Sequence, residues 1–357
     1  MPSNQTKKES SLSKAHKLNV SLGVAAFALV AGFFINAAIS TKQVQARQAA
    51  VAPASVAAKD ESSVTVLTGP TSGIYYPIGN AFSKVLGDMG YNSTATATGA
   101  TRENINAILS RQGELAIAMM DNVVMAIQRE GVWESSLRTA DLRAMMGLWP
   151  NMVQIVTTED SGIKTFEDLR GKRVAVGASN SGVEINARTI FEAHGMSYSD
   201  INVDFLAYGE AIDKIASGSL DAAFVTSGLG NATIMKLGET KKIVFVPVEG
   251  EALQRLLQTN PVLVQGSIPK DVYGTEADTS TVGVMNVMLA SKELSEENVY
   301  KMLDGFYSEQ GLKTIGESYP IVAQGIQLNA ALRGIQGTPI QLHPGAEKFY
   351  REKGLLQ

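Results

Sequence analysis

The chain has 357 residues, 45% of them hydrophobic and 18% charged, with no cysteine and three histidines. That composition excludes disordered, collagen-like and coiled-coil chains, and at about 100–200 residues per domain the length suits two domains. A formal charge of −4, from 31 basic and 35 acidic residues, argues against a nucleic-acid partner. With His16, His194 and His343 scattered, a disulfide framework, a thiol nucleophile and a Cys- or His-cluster metal site are excluded as well, so no metal and no cofactor are expected.

Residues 1–46 read as an export segment rather than as fold. Lys7, Lys8, Lys14 and Lys17 precede an apolar run from Leu22 to Ile35, and small residues follow up to Ala46. The run has signal-peptide length and is short of the roughly 20 residues that span a bilayer. A cleaved signal is the first reading and an uncleaved membrane anchor over Leu18 to Ile39 the second. Both leave the remainder outside the cytoplasmic membrane, because the lysines stay inside. Removal after Ala46 brings the exported part to −8. Residues 47–62 are Ala-rich and read as a linker.

From Val64 onward short apolar runs alternate with helical patterns, which predicts an α/β fold with mostly parallel sheet. Val64 to Leu67 is a strand. A helix follows Pro77, with Pro77 at its first position and Ile78, Phe82, Val85 and Leu86 on one face. Thr101 caps the next, which carries Ile105, Ile108 and Leu109 and stops near Gly113. Leu115 to Met119 is a strand, a helix follows Asp121, and Ala144 to Leu148 and Met152 to Thr157 are two further strands. A second αβ series begins at Arg173 to Gly177. It continues through a helix from about Val183 to His194, a strand near Val203 to Leu206, a helix ending at Gly218, and strands Asp221 to Val225 and Ile243 to Val246. After Pro247 come a helical segment, a loop bearing Pro261, Pro269 and Gly274, a strand Gly283 to Ala290, and helices to the end. The second series reads as inserted into the first: lobe 1 from 63–158 and 250–357, lobe 2 from 159–249, with crossings near 158 and 249.

Three polar, Gly-bearing loops join a strand end to a helix start, where ligands bind in open α/β sheets. They are residues 69–77, with Ser72, Gly73, Tyr75 and Tyr76; residues 98–104, with Thr101, Arg102 and Asn104; and residues 177–182, with Ser179, Asn180, Ser181 and Gly182. Each offers backbone N–H groups at a helix N-terminus, suited to a carboxylate or phosphate. None matches a phosphate-loop or dinucleotide pattern. Tyr75 and Tyr76 read equally well as core aromatics, Trp149 as cleft wall or core, and Arg102 as anion partner or solvated charge. Met119, Met120, Met145 and Met146 read as core filler. His194 reads as a helix C-terminus. Ser179 and Ser181 lack the setting of a nucleophile.

In order, TGPTSGIYYPIGNAFSKVL (68–86), TGATRENINAILSRQGELAIAMMD (98–121), DLRGKRVAVGASNSGVEINAR (168–188) and DAAFVTSGLG (221–230) resemble the TAXI family. These are the extracytoplasmic solute receptors of tripartite ATP-independent periplasmic (TRAP) transporters. The resemblance implies a two-lobed periplasmic-binding-protein type II (Venus-flytrap) fold that closes on a small organic anion, a carboxylate or amino acid, and presents it to a TRAP-type permease. By position it assigns the cleft to Ser72, Gly73, Tyr75, Tyr76, Thr101, Asn104, Ser179, Asn180, Ser181 and Gly182, closed by Ser227 and Gly228. The chain departs from the family at Met119 and Met120 in place of Gln before Asp121, at Trp149-Pro150-Asn151 in place of Tyr-Pro-Glu, and at Arg102 in place of an apolar residue. Losing an acid while gaining Arg102 and Trp149 favours an anion with an apolar portion.

A periplasmic, monomeric receptor that is not an enzyme is therefore the expectation. Its rivals are a membrane-anchored sensory protein with the same ligand domain, and an extracytoplasmic enzyme for which Asp121 and Glu184 are the carboxylates near the loops.

Overall fold

The computed structural model describes residues 62–179, 181–260 and 262–357. The expected export segment lies outside them, as does Asn180. Among the described residues no helix is long and apolar enough to cross a membrane.

The expected α/β architecture is present. Strand β1 (Ser63–Leu67) leads to helix α1 (Tyr75–Asp88), β2 (Asn92–Thr96), α2 (Thr101–Leu109), β3 (Leu115–Met119) and α3 (Met120–Gln128). β1 pairs in parallel with β2 on one side and β3 on the other. Side chains alternate along β3: Leu115 and Ile117 enter one core, Ala116 and Ala118 the other. Both faces are buried, so the strand reads as a continuous apolar run instead of an alternating one.

A long strand, β4 (Arg143–Thr158), then passes to a second group. This comprises β5 (Arg173–Ala175), α4 (Gly182–Ala193), β6 (Asn202–Asp204), α5 (Tyr208–Ala216), β7 (Ala222–Ser227), α6 (Ala232–Gly238), β8 (Ile243–Val246) and α7 (Gly250–Thr259). Here too the strands feed two cores: Ala222 and Phe224 pack with Phe166, Phe191 and Val246, while Ala223 and Val225 face Ile212, Ile234 and Phe245. Strand β9 (Leu263–Ile268), the short helix α8 (Lys270–Tyr273) and β10 (Thr279–Ala290) bring the chain back. Helices α9 (Glu296–Phe306), α10 (Glu309–Ser318) and α11 (Pro320–Ala323), the two-residue strand β11 (Gln341–Leu342) and α12 (Pro344–Glu352) complete it.

The strands form one path, β2-β1-β3-β10-β4-β7-β5-β6, with β11 and β8 on β4 and β9 on β10. β4 and β10 belong to both halves. The first half of β4 pairs with β10 and its second half with β7. Core membership places the passage between halves inside these strands: Trp149 lies in one core and Val153 in the other, and on the return Val282 precedes Met285 in the same way. Ala252, Leu253 and Leu256 of α7 also pack with the second group.

Four local expectations are corrected. Helix α1 begins at Tyr75, ahead of Pro77. Thr101 is the first helical residue and not a side-chain cap; its Oγ1 accepts the Met119 N–H at 3.1 Å. The runs around Trp149-Pro150 are one strand, not two. The register slips between Met285 and Val287, opposite the point where Pro150 lacks an N–H, and Asn286 Nδ2 donates to the Trp149 carbonyl at 2.9 Å. The loop expected between Pro261 and Gly274 contains strand β9, antiparallel to β10. His194 ends α4 as expected, stacked on Phe166.

Candidate functional site

The loops that follow β1, β2, β5 and β6 each end at a helix start, and residues from all four line one cavity of about 110 Å³. From the first half come Ser72, Gly73 and Tyr75 at α1, Ala100 and Thr101 at α2, and Met119 and Asn151. From the second come Ser181, Gly182 and Val183 at α4, Ala207 and Tyr208 at α5, and Thr226 and Ser227 at the end of β7. The first N–H groups of an α-helix have no partner inside it, and the macrodipole makes that end positive. Four such ends therefore face one small space. No Asp, Glu, Lys, Arg or His lines it among the described residues.

Local structure sets these positions. The Gly73 N–H donates to the Pro70 carbonyl at 2.8 Å, which turns the first loop into α1. Ala100 precedes α2 at φ 72° and ψ −146°, a region that penalises a side chain, and the Thr98 hydroxyl accepts its N–H. The Ser181 hydroxyl caps α4 by accepting from the Glu184 N–H. Tyr208 donates its hydroxyl proton to the Thr226 carbonyl at 2.6 Å, and Asn231 Nδ2 donates to Ser227 Oγ. Thr226 is 2% exposed, and its own hydroxyl has no hydrogen-bond partner.

Behind the wall lies a closed polar network. The Tyr75 hydroxyl donates to Asn286 Oδ1 at 2.5 Å and accepts from Asn151 Nδ2 at 3.1 Å, and the Trp149 indole N–H donates to Asn151 Oδ1 at 3.1 Å. Trp149 is 1% exposed and meets the Tyr75 ring edge-to-face at 5.9 Å. Burial pushes the Tyr75 hydroxyl far above the usual tyrosine range, so it serves as a neutral donor at every physiological pH.

Of the residues expected at the cleft, the structure brings together Ser72, Gly73, Tyr75, Thr101, Ser181, Gly182 and Ser227. Tyr76 and Gly228 are outside the lining. Asn104 is fully buried and ties the sheet, donating to the Thr68 and Ile117 carbonyls at 2.6 and 2.7 Å. Arg102 and Ser179 lie in an adjoining open groove, with the Arg102 guanidinium 6.0 Å above the Trp133 ring. Trp149 stands behind Tyr75. Glu184 accepts hydrogen bonds from Arg188 and Tyr198, away from the cavity. Sequence reasoning missed Asn151, Tyr208 and Thr226 as cavity residues. The signal for Tyr208 was present, since Ala207-Tyr208-Gly209 is a fourth loop from a strand end to a helix start.

Asp121 lines a separate cavity of about 370 Å³ with Asn186. Its carboxylate accepts from the Asn122 N–H at 2.7 Å and from Asn186 Nδ2 at 2.5 Å, a link between α3 and α4 across the two halves. Burial raises its pKa above the ordinary carboxylate value, and the amide donors of Asn122 and Asn186 oppose the rise. The folded form then holds a proton that the unfolded chain has already lost between the ordinary value and the raised one. Stability from this group is full below about pH 3.9 and is lost as pH rises through the folded pKa. Asp121→Asn, which stays neutral, is expected to be more stable than the parent at pH 7 once the Asn186 amide turns over, so that its unpartnered Oδ1 instead of its Nδ2 meets the new amide nitrogen. The advantage should vanish below about pH 4. Urea midpoints at the two pH values check this; a variant less stable at both, by the same margin, would contradict it.

A family model described as the NMT1-like family matches residues 66–354, most of the chain. The chain belongs to that family. Among solved structures, it is similar to PhnD1 from Prochlorococcus marinus in complex with methylphosphonate, at 12% identity over 83% of this chain and 100% of that one, TM-score 0.49. A protein from Bordetella bronchiseptica gives 13% identity over 82% and 98%, TM-score 0.48. The periplasmic aliphatic sulphonate binding protein SsuA from Escherichia coli gives 14% identity over 83% and 88%, TM-score 0.44.

Proposed function

We propose that this NMT1-like protein is an extracytoplasmic receptor that captures a small organic anion in the 110 Å³ cavity and delivers it to a membrane permease. The observation that carries the reading is the convergence of four helix N-termini on a space without ionised side chains. Such a site stabilises one negative charge by oriented N–H groups alone. The two halves act as lobes, β4 and β10 as the hinge between them, and a ligand that touches both lobes only when they are closed drives closure. The likeness of residues 68–86, 98–121 and 168–188 to TAXI receptors supports a permease of the TRAP type, and the leader pattern in residues 1–46 supports export.

Titration calorimetry of the purified protein against small organic anions and matched amines tests the binding role. Heat from anions only is expected; binding of the amines instead would overturn it. The transporter class is tested in proteoliposomes carrying the partner permease. Receptor-dependent uptake driven by an ion gradient without ATP is expected, and a strict need for ATP would reject the TRAP assignment.

A further inference from the structure

We infer that the receptor's ligand is a monocarboxylate of about three to five carbons with an apolar body, and that dicarboxylates and amino acids are rejected. This rests on the anion-receptor reading above and narrows it. Size is the first argument. A cavity of about 110 Å³ is smaller than the roughly 150 Å³ apolar cavity that takes a benzene molecule, so it encloses about five heavy atoms, a three-carbon carboxylate, and the far end of a five-carbon one reaches the groove outside.

Charge is the second. The lining holds no Lys, Arg or His, so helix ends and neutral donors are its only positive poles. A second carboxylate would be set against Ile74, Met119, Val183 and Leu206 with no cation to meet it, and an ammonium would find no carboxylate in the lining. Asn151 occupies the wall as a neutral amide, and its oxygen already accepts from the Trp149 indole and its nitrogen already donates to Tyr75. The acidic and basic side chains near these loops face elsewhere: Arg102 and Glu103 line the open groove, Glu184 bonds Arg188 and Tyr198, and Asp121 lines the other cavity.

The third observation is Thr226, whose buried hydroxyl has no partner although the residue forms part of the wall. A buried polar group without a partner is uncommon enough to call for one, and a hydroxyl brought into contact when the protein closes on a small ligand can donate to its carboxylate beside the helix N–H groups.

The test is calorimetry and thermal shift on the full protein with propionate, butyrate, isobutyrate and isovalerate, set against succinate, 2-oxoglutarate, glutamate and leucine, together with Thr226→Val. At least one monocarboxylate is expected to bind about 100-fold or more tightly than any dicarboxylate or amino acid. Thr226→Val is expected to lose about tenfold in affinity for it, with a Tm for the free protein that is not lowered because no bond within the protein is broken. Tighter binding of a dicarboxylate or an amino acid would overturn this inference and leave the receptor reading standing. Binding of no anion at all would overturn both. Unaltered affinity in Thr226→Val would remove the hydroxyl from recognition.

Discussion

Replacing Trp149 with alanine is expected to cost about 3–5 kcal/mol of stability, the range for a large aromatic removed from a close-packed interior. The site fits the upper part of that range. Trp149 is 1% exposed, stands edge-to-face with Tyr75, and lies in the core with Leu148, Met146 and Phe82. Its removal leaves a void and also leaves Asn151 Oδ1 without the indole donor, so two costs add: lost packing and an unsatisfied buried acceptor. Trp149→Phe separates them. It keeps an aromatic edge for Tyr75 while deleting the N–H, and should cost about 1–3 kcal/mol. Urea denaturation of both variants measures the effect; a loss under about 1 kcal/mol for the alanine variant would mean that the region refills the space. Ligand affinity should fall as well, since Tyr75 and Asn151 line the cavity and are held from behind by this ring.

The same neighbourhood explains where sequence reasoning succeeded and where it stopped. Strands β3 and β8 are short apolar runs buried on both faces, and such runs carry their own signal, so Leu115–Met119 and Ile243–Val246 have the expected bounds. The strand-to-helix loops were legible for a similar reason: glycine and polar residues between a β-branched run and a helical period mark where chain direction changes. Strand β4 was not legible as one element because Pro150 reads as a break. The tertiary structure removes the penalty by placing the register slip there and letting Asn286, far along the chain, take the Trp149 carbonyl. Strand β9 escaped because Leu263 to Ile268 is half-exposed and flanked by prolines; it becomes a strand by pairing with β10.

Side-chain direction was the other limit. Thr101, Arg102 and Asn104 occupy one turn of α2, yet one lines the cavity, one turns to the Trp133 ring, and one ties β1 to β3 through backbone carbonyls. Spacing identifies the turn; only the packing around it decides which face each residue presents.

Gly182→Val is expected to reduce ligand affinity by about 10- to 100-fold, an overpacking cost of about 1–3 kcal/mol falling where the two halves meet. Gly182 is where α4, from one half, meets β3 and α3, from the other. A Cβ at this residue would stand 2.1 Å from the Met119 methyl and 3.2 Å from Asn122 Nδ2. The end of a methionine can swing aside, so Gly182→Ala should be mild. The γ-branches of valine have Asn122 on their other flank, and that amide is fully buried and bonded to Asp121, so α4 itself must withdraw. Its withdrawal carries Ser181 and Val183 off the cavity wall, and pulls Asn186 from Asp121 on the opposite side of the same contact. If the two halves separate when empty, the added methyl groups meet nothing in that state, and their cost appears only when the ligand must draw the halves together. Calorimetry and thermal unfolding of the variant distinguish the cases. Weaker binding with an intact Tm assigns Gly182 to closure, whereas a lowered Tm with unchanged affinity would mean that the contact persists without ligand and serves packing only.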